Sequence, residues 1–429
     1  MTATLMLVFL VTMILGVPIA FTMLIGALAA VWVQGSLPLL VAVQQMFAGI
    51  DSFPLMAIPF FILAAELMTG GALTEVLLRF ASQLVGHVRG GLGHTNVLTL
   101  TFFSGISGSA LADVAGPGSM LIRMMRKAGY HPEYAAALTA ATAIVGPIIP
   151  PSIIMIVYAL TEPSVTIMGL FLAGIVPGLM ITGSLLIVNH IISIRRGYRS
   201  TDPRPGFSVI AASFVRALPA LMLPVIILGG IHLGVFTPTE ASVAAVFYAL
   251  MVGRFVYGTL HFSMLPKLLL RTALLTASVL MVIATSEVFG WVLTIGQVPQ
   301  TVAAWISGLG LGPIELLLLI NLFLLLAGIF IEPLPGVMIL VPVLAPIALG
   351  AGMDPLQFAI VVLVNLTLGM ITPPVGALLF VTQIVSGVSM RKMTRELLPM
   401  LGAQILVLLL LSLFPGFSTW LPHTFGYTK

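Results

Sequence analysis

The chain contains no cysteine, which excludes disulfides, thiolate metal sites and thiol catalysis. It is also poor in charge: only 7% of its 429 residues are Asp, Glu, Lys or Arg, where a soluble domain carries about 25%. That deficit excludes an ordinary soluble enzyme. No Gly-rich loop ends in Gly-Lys-Ser/Thr, so ATP cannot be bound in that way and any work must draw on a gradient or another subunit. The seven histidines show no HxxH or HExxH spacing, which argues against a transition metal. They also fall mostly near expected helix ends, where none would face a serine nucleophile at membrane depth, so no catalytic residue is assigned. No basic residue precedes Arg79, so MTATLMLVFLVTMILG lacks the charged region of a cleaved signal peptide and reads as a retained first helix.

What is present is apolar. Hydrophobic residues make up 59% of the chain, in long runs rather than ten-residue alternating segments. The class is therefore an all-α polytopic membrane protein, not a β-barrel, with room for about a dozen crossings in a lipid bilayer. The net charge of +4 implies no nucleic acid, because its placement follows the membrane. The basic residues cluster around Arg79 and Arg89, at 123–127, at 195–216, at 254–271 and at 391–395. One threading puts all of these in the cytoplasm and leaves only Lys429 outside. In it, 54–78 descends to Arg79, and 93–128 enters and leaves on the basic side. Segment 131–160 rises to Thr161-Glu162-Pro163, and 165–194 returns. RRGYRSTDPRPGF (195–207) joins two halves in the cytoplasm. Segments 217–232 and 238–253 pair, 255–271 is an amphipathic surface segment, 272–295 crosses, and 321–350 re-enters from outside. The first 33 residues are one tilted helix or two short ones around Gly16-Val17-Pro18.

A shift of 223 residues places Gly105, Gly129, Gly146, Pro132, Pro150 and Pro151 on Gly328, Gly352, Gly369, Pro355, Pro373 and Pro374. Chance gives roughly 0.7 such matches. The threading puts the two copies on opposite sides, so the expected architecture is an inverted repeat of the kind secondary transporters use. Each copy carries a Gly- and Ser- or Pro-rich tip, FFSGISGSALAD (102–113) or LAGIFIEPLPG (326–336), read as a re-entrant helical hairpin. Each also carries a Pro pair inside an apolar run, GPIIPPS (146–152) or GMITPPVG (369–376), where the missing donors must break the helix.

Broken helices expose amides and carbonyls that protein, water or an ion must satisfy at this depth. Carbonyl ends and hydroxyls suit a hard cation such as Na⁺, while half-helix amino ends favour a carboxylate. The cation ligands expected are Ser104, Ser107 and Ser109 with backbone near Gly105, Gly108 and Gly146. In the second copy they are Thr367 and Thr372 with backbone near Gly328 and Gly369. Two copies suggest two ions. Asp113, Pro150, Pro151, Ser152, Glu332, Pro373 and Pro374 are the candidates for the substrate side of one composite pocket. Against this stands a plainer reading of SGISGSA as a surface for close helix packing, which the matching copy and both Pro pairs outweigh. Glu66 (AAELM) and Glu287 (TSEVF) are each balanced between a structural carboxylate and a gating role.

These residues resemble one family, the large membrane subunit of tripartite ATP-independent periplasmic (TRAP) transporters. The resemblance runs over nearly the whole chain. It rests on GVPIAF (16–21), FPLMAIPFFILAAELM (53–68), SGISGSALADVAGPGSM (104–120), GPIIPPS (146–152), GVFTPTEAS (234–242) and TLGMITPPVG (367–376). It implies a bacterial or archaeal inner-membrane importer coupled to Na⁺, with a periplasmic substrate-binding protein and a separate small four-helix membrane subunit as partners. The cargo implied is a C4-dicarboxylate, sialic acid or another sugar or keto acid. The mechanism implied is an elevator, with 86–160 and 309–390 moving as a block against a scaffold of 1–82 and 206–300. Residues 161–205 would connect the halves and 391–429 form a C-terminal helix. A stand-alone dicarboxylate carrier and a channel are the competing readings.

Overall fold

The computed structural model describes residues 1–35, 37–69, 73–198, 200, 203–308 and 310–427, and among these every regular element is a helix. Arg199 and Lys429 of the basic clusters lie outside the described residues. Gly16 in the left-handed region (φ 79°) and Pro18, which has no N–H to donate, separate α1 (Thr2–Ile14) from α2 (Ile19–Gln34). The first 33 residues are thus two helices, packed on each other. The chain then bends by 63° between α3 (Leu39–Ile50) and the segment carrying α4 (Ala57–Thr69). The expected 54–78 crossing is divided, since α5 (Leu73–Val85) is a separate helix.

The first tip lies where α6 (Gly91–Ser107) ends at Gly108, whose φ of 59° suits a residue without Cβ. The return arm is α7 (Ala110–Asp113), a π turn through Pro117, and α8 (Ser119–Lys127). Next, α9 (Pro132–Ala143) and α10 (Ile153–Thr161) flank the first Pro pair, and α11 (Ile167–Arg196) runs back for 30 residues. The second half holds α12 (Phe207–His232), α13 (Pro238–Met251), α14 (Leu265–Ile295) and α15 (Val298–Ser307). Then α16 (Pro313–Gly328) and α17 (Pro333–Gly350) meet at the second tip, and α18 (Pro355–Gly369) and α19 (Ala377–Ser386) flank the second Pro pair. The 223-residue spacing extends to element boundaries. Pro132 and Pro355 open α9 and α18, Lys127 and Gly350 close α8 and α17, and Ile167 and Met390 open α11 and α20 (Met390–Leu413).

Among the described residues six helices are long and apolar enough to cross a membrane, or seven if the bent pair is one span. That is fewer than a dozen, because the breaks divide the chain into pieces: the 16 residues of α16 rise about 24 Å, short of a roughly 30 Å core. Segment 255–271 also differs from its expectation. A π turn extends α13 to Val256, the chain turns at Gly258 (φ 64°), and Lys267 and Arg271 lie in the opening turns of the 31-residue α14. These charges therefore end a long helix rather than lay one on the surface. The C-terminal segment is likewise two helices, α20 and α21 (Gly416–Thr424), divided at Phe414-Pro415.

Buried amides fix the helices around both breaks. Asn96 of α6 donates to Thr139 of α9 at 2.7 Å, Tyr134 of α9 donates to Asn189 of α11 at 2.9 Å, and Gln404 of α20 reaches the Ala141 carbonyl at 2.7 Å. In the second half Asn365 of α18 donates to Asn321 of α16, which donates to Ser412 of α20 at 2.7 Å. Each such bond contributes on average about 0.6 kcal/mol in a membrane protein, so their effect here is mainly to set register. Trp32, Phe207 and Ile384 are largely exposed in the isolated chain.

Candidate cation and carboxylate site

At the first break α9 stops because Pro147, Pro150 and Pro151 offer no donors, and the intervening amides close tight turns, Ile148 and Ile149 N–H both bonding the Val145 carbonyl at 3.0 and 2.9 Å. Ser152 restarts the helix from extended backbone, accepting from the Met155 amide at 3.5 Å while its hydroxyl donates to the Pro147 carbonyl at 2.6 Å. The first tip lies against this break. A Cβ on Gly108 would stand 2.8 Å from the Pro151 carbonyl oxygen, and one on Gly105 would stand 3.7 Å from that of Pro150. Both Pro pairs, 150–151 and 373–374, are joined by cis peptides.

Asp113 closes the arrangement. Its side chain is fully buried, and one carboxylate oxygen accepts the Ser107 hydroxyl. The other has no hydrogen-bond partner among the described residues, and a Cβ on Gly146 would come within 2.7 Å of it. Ser109 caps α7 through the Ala112 amide at 3.5 Å, and its own amide donates to the Ser107 hydroxyl at 3.4 Å. Ser104, one helical turn before Gly108, donates its hydroxyl to the Leu100 carbonyl at 2.7 Å and also stands beside the Asp113 carboxylate. The structure thus gathers Ser104, Ser107, Ser109, Asp113, Gly108, Gly146, Pro150, Pro151 and Ser152 into one locus of hard oxygen donors.

The second break is built differently. Here the backbones of Gly328 and Gly369 are in contact, so that a Cβ on Gly369 would overlap the Gly328 carbonyl. Farther on, the Gly376 amide donates to the Ile329 carbonyl at 3.4 Å, fastening tip to break. Thr367 and Thr372 donate to their own helix at Val364 (2.9 Å) and Leu368 (2.8 Å). Glu332 is an exposed residue preceding α17, Pro373 is half-buried and Pro374 is exposed, so no buried carboxylate stands at this tip.

The two halves interlock crosswise: α19 packs on the 114–118 turn and α9, while α10 packs on α17. A cavity of about 490 Å³ opens between α3, α10, α14 and α17, with Ser52, Thr161, Ser286 and Glu287 in its wall. Neither tip lines it. Glu287 and Glu66 sit in similar apolar contexts in the sequence, but the Glu287 cavity was not foreseeable without knowing that Gly49 of α3 packs against its stem. The other acid, Glu66, is buried and meets the Arg271 guanidinium at 3.2 Å, which makes it a structural partner of α14. The Ser107–Asp113 bond is the main feature the sequence reading missed. The i, i+6 spacing across a Gly turn is its only local signal.

Comparison with known proteins matches residues 6–417 to the family described as the tripartite ATP-independent periplasmic transporter, DctM component. The sialic acid TRAP transporter large permease protein SiaM of Vibrio cholerae is 41% identical over 413 residues, covering 96% of each chain. The C4-dicarboxylate TRAP transporter large permease protein DctM of Pseudomonas aeruginosa is 41% identical over 383 residues, covering 89% of each. The isethionate TRAP transporter permease protein DctMQ of Oleidesulfovibrio alaskensis is 39% identical over 404 residues, 94% of this chain and 64% of that one. Among solved structures, the YdaH transporter of Alcanivorax borkumensis superposes with a TM-score of 0.63 at 17% identity, over 89% of this chain and 88% of its own, which establishes a shared fold.

Proposed function

The chain belongs to the DctM component family of tripartite ATP-independent periplasmic transporters, a multi-pass inner-membrane subunit for organic-acid transport, and from that premise we propose that it is a Na⁺-coupled importer working by an elevator movement. Its relatives are transport permeases rather than enzymes. In this reading a periplasmic binding protein delivers a sugar acid, dicarboxylate or related anion, and a small four-helix subunit completes the membrane complex. The two 223-related halves are inverted copies with re-entrant hairpins, and the basic loops are cytoplasmic. Residues 86–160 and 309–390 move against 1–82 and 206–300.

The observation that carries the reading is Asp113. A buried carboxylate with one unpartnered oxygen, beside a hydroxyl and the carbonyls of a helix break, offers hard oxygens to a cation and repels an anion. Asp113 therefore sits with Ser107 on the Na⁺ side. The carboxylate cargo is left to the amino ends of α10 and α19, beside Ser152 and the two Pro pairs. Substrate choice rests largely with the delivering protein. The test is uptake of radiolabelled carboxylates into proteoliposomes holding the chain and its small subunit, with and without binding protein and an inward Na⁺ gradient. Uptake should require both, and Asp113→Asn should remove its dependence on Na⁺. Uptake that needs no binding protein would make this a stand-alone carrier, and Na⁺-activated uptake by the Asn variant would take Asp113 out of the site.

A further inference from the structure

Two arginines stand apart from the proposed transport cycle. Glu75, Arg79 and Gln83 recur every fourth residue along α5, and Val209, Ser213 and Arg216 recur at spacings of four and three along α12, so each set forms a stripe on one helix face. The stripes face each other across a cavity of about 430 Å³ with Arg79, Gln83, Ser208, Ser213 and Arg216 in its wall. An adjoining cavity of about 170 Å³ shares both arginines and adds Glu75. Among the described residues neither guanidinium has a carboxylate within ion-pair distance, Glu75 included. Two like charges held in one cavity repel unless an anion lies between them, and paired guanidinium forks match the oxygens of a phosphate. Gln83 and Ser208 add neutral donors, whereas the Ser213 hydroxyl is already donated to the Ile210 carbonyl at 2.8 Å.

The surroundings indicate where that phosphate comes from. Val209 (48% exposed) lines the cavity itself, and the outward face of α12 next to it carries Phe214 (43%) and Val215 (64%), apolar surface that a hydrocarbon chain leaving the cavity would meet and a free ion would not use. Both arginines belong to the clusters that the charge distribution puts at the cytoplasmic face, the depth of a headgroup. We infer that Arg79 and Arg216 hold the phosphate of an anionic phospholipid headgroup, its acyl chain leaving past Val209 onto the apolar outward face of α12. The bound lipid fastens α5, which leads directly into the first tip's α6, to α12 across the bilayer surface. Glu75 stands at the margin of the site and weakens it.

Native mass spectrometry of the purified chain in detergent, titrated with phosphatidylglycerol, phosphatidylethanolamine or inorganic phosphate, tests this. Phosphatidylglycerol should be retained in preference to phosphatidylethanolamine. Arg79→Gln and Arg216→Gln should each weaken retention about fivefold and the double variant about 25-fold. Glu75→Gln should strengthen it, and the double Lys variant, which keeps the charge without the fork, should fall between, so the result does not rest on one variant's folding. Unchanged retention in the double Gln variant, equal retention of phosphatidylethanolamine, or displacement by equimolar inorganic phosphate would each overturn the assignment. So would loss of a co-purifying membrane partner from the double variant with phosphatidylglycerol still bound.

Discussion

The two breaks share spacing, Pro pairs and helix boundaries, yet they satisfy their exposed backbone by different means. At the first, side chains close the gap: Asp113, Ser107 and Ser109 gather beside Gly146, and Ser152 restarts the helix. At the second, backbone meets backbone, with Gly328 against Gly369 and the Gly376 amide on the Ile329 carbonyl, while Thr367 and Thr372 donate to their own helices. Two breaks at matching positions thus share the need for satisfied carbonyls and amides but not the groups that meet it. On the proposed reading, the side-chain version exchanges partners for an ion. The backbone version depends on two residues having no Cβ.

The strongest way to break the comparison is to remove what both halves share. Pro150→Ala with Pro151→Ala, or Pro373→Ala with Pro374→Ala, restores donors that let α10 grow back toward Pro147, or α18 run into α19. Undoing an interruption that costs a helix about 3 kcal/mol should lower uptake at least about 100-fold in either half. Wild-type uptake by either double variant, measured in proteoliposomes, would show that the break there is dispensable.

A smaller effect separates the halves. Gly369→Ala pushes a methyl into the Gly328 carbonyl, backbone against backbone, and should cost about 1–3 kcal/mol, seen as a clear fall in the melting temperature of the purified protein. Gly105→Ala meets the Pro224 ring at 3.1 Å and nothing else within 3.5 Å, so its melting temperature should change far less. The opposite order would mean that the first tip, not the second, is the tighter junction. For the cation, Ser107→Ala removes a hydroxyl bound to Asp113 and should raise the Na⁺ concentration for half-maximal uptake about tenfold. Thr372→Ala, whose hydroxyl serves Leu368, should raise it less. Equal shifts would indicate that Thr372 turns inward when Na⁺ binds.

These contrasts also mark how far the sequence could be read. Pro and Gly act on their own backbone, so the Pro pairs and the turn at Gly108 were visible as local chemistry, while Gly16-Val17-Pro18 allowed one helix or two and the structure has two. The Gly328–Gly369 contact and the partner of Asp113 depend on which helices cross at those points, and no local rule gives a crossing. Segment 255–271 was misplaced for a related reason: Arg254, Lys267 and Arg271 mark an interface equally well at the end of a crossing helix or along a surface one. Only the continuity of α14 decides between them.

The smallest expected effect concerns the two acids whose contexts looked alike. Glu66 is buried and paired with Arg271, a residue whose side chain is 58% exposed, so water screens the pair from one side and its net worth is about 0–1 kcal/mol. Glu66→Gln should therefore lower the melting temperature slightly and leave the Na⁺ dependence of uptake alone. Glu287 has no ion-pair partner among the described residues and faces a cavity between α14 of the proposed scaffold and α10 and α17 of the proposed moving block. A charge there changes its surroundings whenever those helices slide past α14, whereas Glu66 and Arg271 belong to the same proposed scaffold and travel together. Glu287→Gln should accordingly leave the melting temperature in place and alter the uptake rate. If instead Glu66→Gln changes the rate and Glu287→Gln does not, the boundary between moving and fixed helices runs between α4 and α14, and the scaffold drawn from the repeat would have to be divided there.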